Sequence, residues 1–240
     1  MVANSHWLAE LAGRSAIAKA CGGVRVIRPG IDTSVFKPRD KELCRQQLGL
    51  PADAFVIATG GASLKDTNKN LPWLLEQLSL LSELGKVIVL AFGEGAVPVP
   101  DRLNVRFAGG IRDRSDLARL LAAADVFVTA SLMETYGLTL VEAMACGTPV
   151  VAFRVGGIPE AAPDGQGAVL CGVQDGAGLL EAITNLRESP QLREKLSRIA
   201  HETAHRRNAA SSFASKSAQL YRECVGLKQT IPGVTPATVT

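Results

Sequence analysis

Two glutamates, Glu134 and Glu142, have seven residues between them in the stretch VFVTASLMETYGLTLVEAMACGTPVVAF, residues 126–153. On a helix rising about 1.5 Å per residue they would lie roughly 12 Å apart. Carboxylate pairs that hydrolyse glycosidic bonds stand about 5–9.5 Å apart, so a hydrolytic dyad fits poorly. The span suits an elongated polar ligand gripped at both ends. An anion between the grips would face a helix N-terminus, where free N–H groups and the positive end of the dipole attract negative charge. A hexose joined through a diphosphate to a ribose has that form.

A second group of residues lies at 60–70, GGASLKDTNKN, between an apolar run and a helical pattern. Glycines such as Gly60 and Gly61 let a backbone approach phosphate closely, and Lys65 or Lys69 would supply a point charge. The stretch matches neither G-x-G-x-x-G nor the Walker A lysine pattern, which removes the main support for NAD or ATP. His201-Glu202-Thr203-Ala204-His205 fits H-E-x-x-H, two histidines on one helical face, with Glu223 as a third ligand by sequence distance. That helix lies in an all-helical carboxyl-terminal segment, so the expectation is no metal and two exposed histidines. His6 is the only other histidine, which leaves no Ser-His-Asp set to argue. Five cysteines (Cys21, Cys44, Cys146, Cys171, Cys224), odd in number and without a C-x-x-C pair, read as reduced, mostly packed thiols.

These residues need elements to hold them. The apolar run 126–130 reads as a strand and Ser131-Leu132-Met133 as a polar elbow. Leu138, Val141 and Ala145 form one face of a helix stopped at Gly147-Thr148-Pro149. A second apolar run, 150–153, completes a β-loop-α-β unit with a parallel pair and a right-handed crossover. The elbow then lies at the carboxyl end of the sheet, where ligands of open α/β sheets bind. Upstream, 54–59 is a strand ending at Gly60-Gly61, and 71–84 is an amphipathic helix with Pro72 in its first turn. Residues 86–92 and 105–108 are strands, and 115–123 is a helix capped from Asp113 to Asp116. A glycine turn (Val155-Gly156-Gly157-Ile158-Pro159-Glu160), a strand at 168–171 and helices at 178–187, 190–206 and 210–225 follow.

The E-x7-E pattern, written E-TYGLTLV-E and followed by AMACGTPVVAF and GGIPE, resembles the donor-binding domain of the retaining glycosyltransferases of family 4. The resemblance runs from Asn4 to about Cys224. It implies an α/β fold: a Rossmann-like parallel sheet flanked by helices, one half of a GT-B fold, with a helical carboxyl-terminal segment. It further implies metal-independent transfer of a hexose from a UDP- or GDP-linked sugar to a saccharide or lipid-linked acceptor, in cell-envelope polysaccharide synthesis. Glu134 would bond hydroxyls of the donor sugar and Glu142 those of the ribose. Tyr136, Gly137 and Leu138 would line the sugar and phosphate pocket mainly through backbone. Lys69 would contact the diphosphate, with Lys65 in support, and Ile111 backbone and the Arg112 side chain would lie against the base. Glu134 and Lys69 are the catalytic candidates, Lys69 and the helix N-terminus stabilising the departing diphosphate. The chain departs from the family pattern at Asn70, where glycine is usual, and in Gly61-Ala62-Ser63, where an arginine is usual.

By the same resemblance, residues 1–22 close an acceptor domain, 23–225 form the donor domain and 226–240 are a disordered tail. The opening strand then has no sheet of its own to join. The chain reads as half of a two-domain architecture that binds donor but turns over little alone, its partner an amino-terminal domain or a separate subunit. The alternatives are a GT-B epimerase or phosphorylase, which E-x7-E fits less well, and a non-catalytic nucleotide-sugar-binding subunit.

Bulk properties fit this reading. A chain of 240 residues, 47% hydrophobic, can bury one large core or two small ones. Its longest purely apolar run, 87–92, is too short to span a membrane, and its start lacks a leader pattern, so a cytosolic protein is expected. A net charge of +3, with both signs interleaved, argues against nucleic acid. Arg206-Arg207, near Lys195 and Arg198, reads as a solvated helix face, with peripheral contact to an anionic membrane surface the less favoured alternative.

Overall fold

The computed structural model describes residues 1–81 and 86–228. Its first elements are β1 (Val2–Ala3), α1 (His6–Gly13), α2 (Ala16–Ala20) and β2 (Arg25–Val26). Contrary to expectation, the opening strand does find a partner: β1 pairs in parallel with β2, Val2 opposite Arg25 and Ala3 opposite Val26. Ser5 caps α1 by accepting from the Leu8 N–H.

Next come α3 (Lys41–Gln47), β3 (Phe55–Ser63), α4 (Leu71–Ser79), β4 (Val87–Glu94), β5 (Val105–Phe107), α5 (Arg114–Ala123), β6 (Val126–Thr129) and α6 (Leu138–Ala145). The series closes with β7 (Val150–Phe153), α7 (Ile158–Ala161), β8 (Ala168–Cys171), α8 (Gly176–Glu188), α9 (Pro190–Asn208) and α10 (Ala210–Lys228). Among the described residues the larger sheet has six strands, ordered β5-β4-β3-β6-β7-β8 and parallel at every pairing. Winding runs outward from β3 in one direction and from β6 in the other. The reversal falls between those two strands, the doubly wound arrangement expected of a Rossmann-like half.

Both faces of this sheet are covered, which is why its strands read as continuous apolar runs. Val56, Ala58, Ile88, Leu90 and Phe127 point to one face, against α5, α6 and α9. Ile57, Val87, Val89, Val126 and Val128 point to the other, against α4 and α8. Alternate side chains of one strand thus enter two different cores.

Three sequence boundaries shift. The strand expected to stop at Thr59 continues to Ser63, with an irregularity in its pairing to β4 between Gly60 and Ser63. The helix expected over 71–84 is assigned to Ser79, and its expected end lies outside the described residues. Of the tail expected from Gly226, residues 226–228 belong to α10, and the rest lies outside the described residues. No helix among the described residues is long and apolar enough to cross a membrane.

Candidate functional site

The carboxyl ends of β3 and β6, side by side at the winding reversal, carry the two loops of interest. After β3, the stretch is not the open glycine loop that the sequence suggests. Gly60 (φ 147°) crosses so close to β4 that a Cβ there would lie 2.0 Å from the Phe92 carbonyl oxygen. Its role is backbone packing. Gly61 faces the loop, where a Cβ would touch the Lys69 Cε at 3.4 Å. A single 3₁₀ turn, Thr67–Lys69, follows, with the Asp66 carboxylate accepting from the Asn68 N–H at 2.9 Å. Asn70 then adopts a left-handed φ of 52° before α4. Asn is among the non-glycine residues that best tolerate this region.

After β6, residues 131–137 are pinned from three sides. The Leu132 N–H donates to the Asn68 carbonyl at 2.8 Å, joining the two loops. The Gly157 N–H donates to the Glu134 carbonyl at 2.8 Å, and any Cβ at Gly156 or Gly157 would strike the Glu134 or Thr135 carbonyl at 2.0 or 2.2 Å. The Asn4 amide donates to Thr135 Oγ1 at 3.0 Å. Gly137, at φ 93°, then starts α6 with no side chain capping it, so the first N–H groups of that helix face the loop mouth.

Lys69 and Glu134 meet here as an ion pair, both largely buried, with Ser131 Oγ reaching the same carboxylate at 3.4 Å. Glu142, one turn into α6, has a different partner: Arg114 Nη2 lies 3.3 Å from it, and its side chain is 12% exposed. Burial, only partly offset by Arg114, pushes this carboxyl up to about 7. Beside α6 a cleft of about 370 Å³ opens between Gly61, Glu94, Gly110, Ile111, Arg112 and Thr139.

The sequence-selected residues therefore separate into groups. Lys69, Glu134, Gly137 and Leu138 converge at the mouth, Leu138 44% exposed instead of packed with Val141 and Ala145. Gly61, Ile111 and Arg112 line the cleft. Lys65 lays its stem over Gly95. The Tyr136 side chain is 1% exposed and turned into the core, its hydroxyl accepting from Asn208 at 2.7 Å, so only its backbone is at the loop. Glu134 and Glu142 are held apart, each by its own cation. Sequence reasoning missed Arg114, Glu94, Asn4 and Asn68. Glu94 stands two residues beyond Phe92, the end of the 87–92 run, and could have been flagged; Asn68 acts through its carbonyl, which leaves no sequence signal.

The profile of the family described as "Glycosyl transferases group 1" matches residues 54–189, more than half of the chain and all of the switch-point loops. The chain belongs to that family. It is 32% identical over 221 residues to D-inositol 3-phosphate glycosyltransferase 2 of Catenulispora acidiphila, covering 85% of this chain and 51% of that protein. It is also 32% identical over 220 residues to the D-inositol 3-phosphate glycosyltransferase of Mycobacterium tuberculosis, covering 85% and 44%. The chain thus spans about half the length of the curated relatives it matches. Among solved structures it is similar to sucrose-phosphate synthase of Thermosynechococcus elongatus, with TM-score 0.76, 29% identity and coverage of 94% and 58%. It is likewise similar to Anabaena HepE, solved in complex with UDP-glucose, with TM-score 0.78, 25% identity and coverage of 92% and 63%.

In this group 1 glycosyl transferase the H-E-x-x-H residues are engaged elsewhere. His201 is half-buried, correcting the expectation of exposure, with Nδ1 2.8 Å from the Ala145 carbonyl oxygen. Its ring meets His205 edge-on at 5.6 Å, and Glu223 pairs with Arg25. Among the described residues no three His, Cys, Asp or Glu side chains gather as metal ligands would. The Arg206-Arg207 doublet is split, since Arg207 donates to the Glu160 carbonyl at 3.0 Å. Cys44, Cys146 and Cys171 are buried, while Cys21 and Cys224 are exposed.

Proposed function

We propose that the mouth between β3 and β6 holds a nucleotide-sugar donor for retaining transfer of a hexose to a saccharide or lipid-linked acceptor, in polysaccharide synthesis. One observation carries this reading: Lys69 and Glu134 arrive from the two oppositely wound halves of the sheet and meet beside the uncapped N-terminus of α6. A cation, a hydrogen-bond-accepting carboxylate and free N–H groups within one loop pair suit a ligand with both hydroxyls and phosphate.

In this arrangement Glu134 accepts from hydroxyls of the sugar, and Glu142 accepts from the ribose. The base rests in the cleft at Gly61, Ile111 and Arg112. The diphosphate lies between Lys69 and the first N–H groups of α6. As the glycosidic bond to the diphosphate breaks, negative charge grows on the phosphate oxygens. Donors already aimed at that charge stabilise it more in the transition state than in the ground state. Lys69, paired with Glu134 when no ligand is present, turns to the diphosphate on binding. The proposed chemistry uses no metal.

Calorimetric titration with UDP, UDP-glucose, GDP and GDP-mannose tests the reading. Saturable binding of one nucleotide, tightened by its sugar and unchanged in EDTA, is the expected result. Lys69→Ala should weaken the nucleotide diphosphate at least tenfold, as loss of a charge-assisted contact does. Absence of binding to all four overturns the proposal.

A further inference from the structure

The chain crosses twice between the large sheet and a small body made of β1, α1, α2, β2 and α10. It passes outward at residues 27–31 and returns at residues 208–210. Both crossings and the sugar-side loop meet at one side chain. Asn208, the last residue of α9, is 1% exposed. Its side-chain Nδ2 donates to the Pro29 carbonyl at 2.9 Å and to the Tyr136 hydroxyl at 2.7 Å, and its backbone carbonyl accepts from the Ile31 N–H at 2.8 Å. Gly30 lies so close to the start of α10 that a Cβ there would stand 2.7 Å from the Ala210 Cα, and Ile31 bridges Ala209 in parallel, so the two crossings are packed side by side. On the other side, Tyr136 sits between Glu134 and the Gly137 that starts α6.

The Asn208 Oδ1 is buried with no partner. A buried amide left half unsatisfied costs folding stability, where an apolar side chain would not. That cost fits a group kept for what its donor end holds.

We infer that Asn208 is a positioning residue for the donor sugar: through Tyr136 it sets the Glu134–Gly137 loop against the double crossing, so the grip on the sugar depends on how the small body is seated. The inference rests on the proposed donor reading. It concerns the sugar end of the ligand first: the nucleoside is held by Glu142 and the 111–112 cleft, which Asn208 does not touch, and the diphosphate shares with the loop only the N-terminus of α6.

The test uses the full chain carrying Tyr136→Phe, which removes one hydroxyl, and Asn208→Leu, which keeps the volume and removes the donor. For each, calorimetry gives the affinity for UDP and for UDP-glucose. The expected result is a loss of the UDP-glucose advantage over UDP, about threefold in Y136F and about tenfold in N208L, with UDP affinity itself falling by a smaller factor. Hydrogen exchange without ligand should show faster exchange at the amides of residues 134–138 in both variants, with β7 and β8 amides as protected as before. Equal weakening of UDP and UDP-glucose would mean a merely structural role and overturn the inference, as would an unchanged ratio or unchanged exchange in Y136F. If the unmodified chain binds neither UDP nor UDP-glucose, the UDP form of the donor reading fails, and the exchange measurement still decides whether Asn208 holds the loop.

Discussion

Carboxylates flank strand β6 on both sides, Asp125 just before it and Glu134 and Glu142 in the loop and helix after it, and the two sides live in opposite conditions. At its amino end, Asp125 is 5% exposed and saturated. It accepts from the Val56 N–H at 2.8 Å, from Arg45 at 2.6 Å and from Lys41 at 3.1 Å, with Arg193 3.5 Å away. Arg45 also donates to the Ala123 and Ala52 carbonyls at 3.0 and 2.9 Å. Burial works against the charge on Asp125, but Lys41, the Val56 N–H and Arg45 outweigh it and hold the carboxyl below its usual range. At the carboxyl end, Glu134 has one cation and one long hydroxyl contact, and Glu142 has one half-exposed arginine. The cleft beside Asp125, about 420 Å³, is larger than the 370 Å³ cleft beside α6. Size does not separate a binding site from a structural one here; unspent hydrogen-bonding capacity does.

The contrast breaks most readily at Asp125. Asp125→Ala leaves the Arg45 guanidinium buried and unpaired, so urea unfolding should show a loss of about 3–5 kcal/mol, with UDP-glucose affinity of the folded protein unchanged. Because the folded carboxyl titrates below the unfolded value of 3.8, its contribution is present above that pH and is lost as pH falls through the lower folded value. A loss under 1 kcal/mol would mean the cluster is not structural.

Glu134→Gln sharpens the other side. The amide keeps the shape and loses the charge that sugar hydroxyls and Lys69 both favour. UDP-glucose should weaken about tenfold to a hundredfold while UDP alone does not, and stability should move by less than about 1 kcal/mol. A stability loss as large as that of Asp125→Ala would erase the distinction between the two ends.

How far these two ends are readable in the sequence differs for a physical reason. The parallel sheet and the β-loop-α-β unit follow from apolar runs and breaks, which local pattern encodes, whereas the pairing of Lys69 with Glu134, 65 positions apart, does not. Asp125, preceding the 126–130 run, carried no signal, because its partners Lys41, Arg45 and Arg193 come from 68 to 84 positions away in sequence and meet only in the fold. The same holds for Arg114 on Glu142, 28 positions apart, and for Asn208 on Tyr136, 72 apart. Gly60 was misread as part of a loop because a glycine needed for close strand packing looks the same in sequence as one needed for a turn. The pairing of β1 with β2 was missed because two-residue strands leave no periodicity.

Glu142 gives a smaller, pH-dependent effect. Its folded value of about 7 lies above the ordinary 4.5, so the folded state favours the neutral acid. Hydrogen bonds to both ribose hydroxyls favour the ionised form. UDP affinity should therefore fall as pH drops from 8 to 6, by up to about tenfold per unit below the titration midpoint. In stability the sign is opposite: this group's contribution is fully present below 4.5 and is lost as pH rises toward 7. Glu142→Gln should flatten both profiles in that window, and an unaltered pH profile of binding in the variant would show that another group titrates.

The mildest change should come from Arg114→Gln, which tests whether the undersaturation at this end is tuned. Arg114 is 58% exposed on its side chain and lies over the Phe36 ring at 5.2 Å, which holds its guanidinium toward Glu142. As a largely exposed partner it should contribute under about 0.5 kcal/mol to stability. Among the described residues it is nevertheless the cation that opposes the burial of Glu142. Its removal should move the midpoint of the UDP-binding profile to higher pH, weakening binding near pH 7 and leaving it nearly unchanged well above the shifted midpoint. A midpoint that stays in place would show that Arg114 screens Glu142 too weakly to matter, and that burial alone sets when the ribose grip is charged.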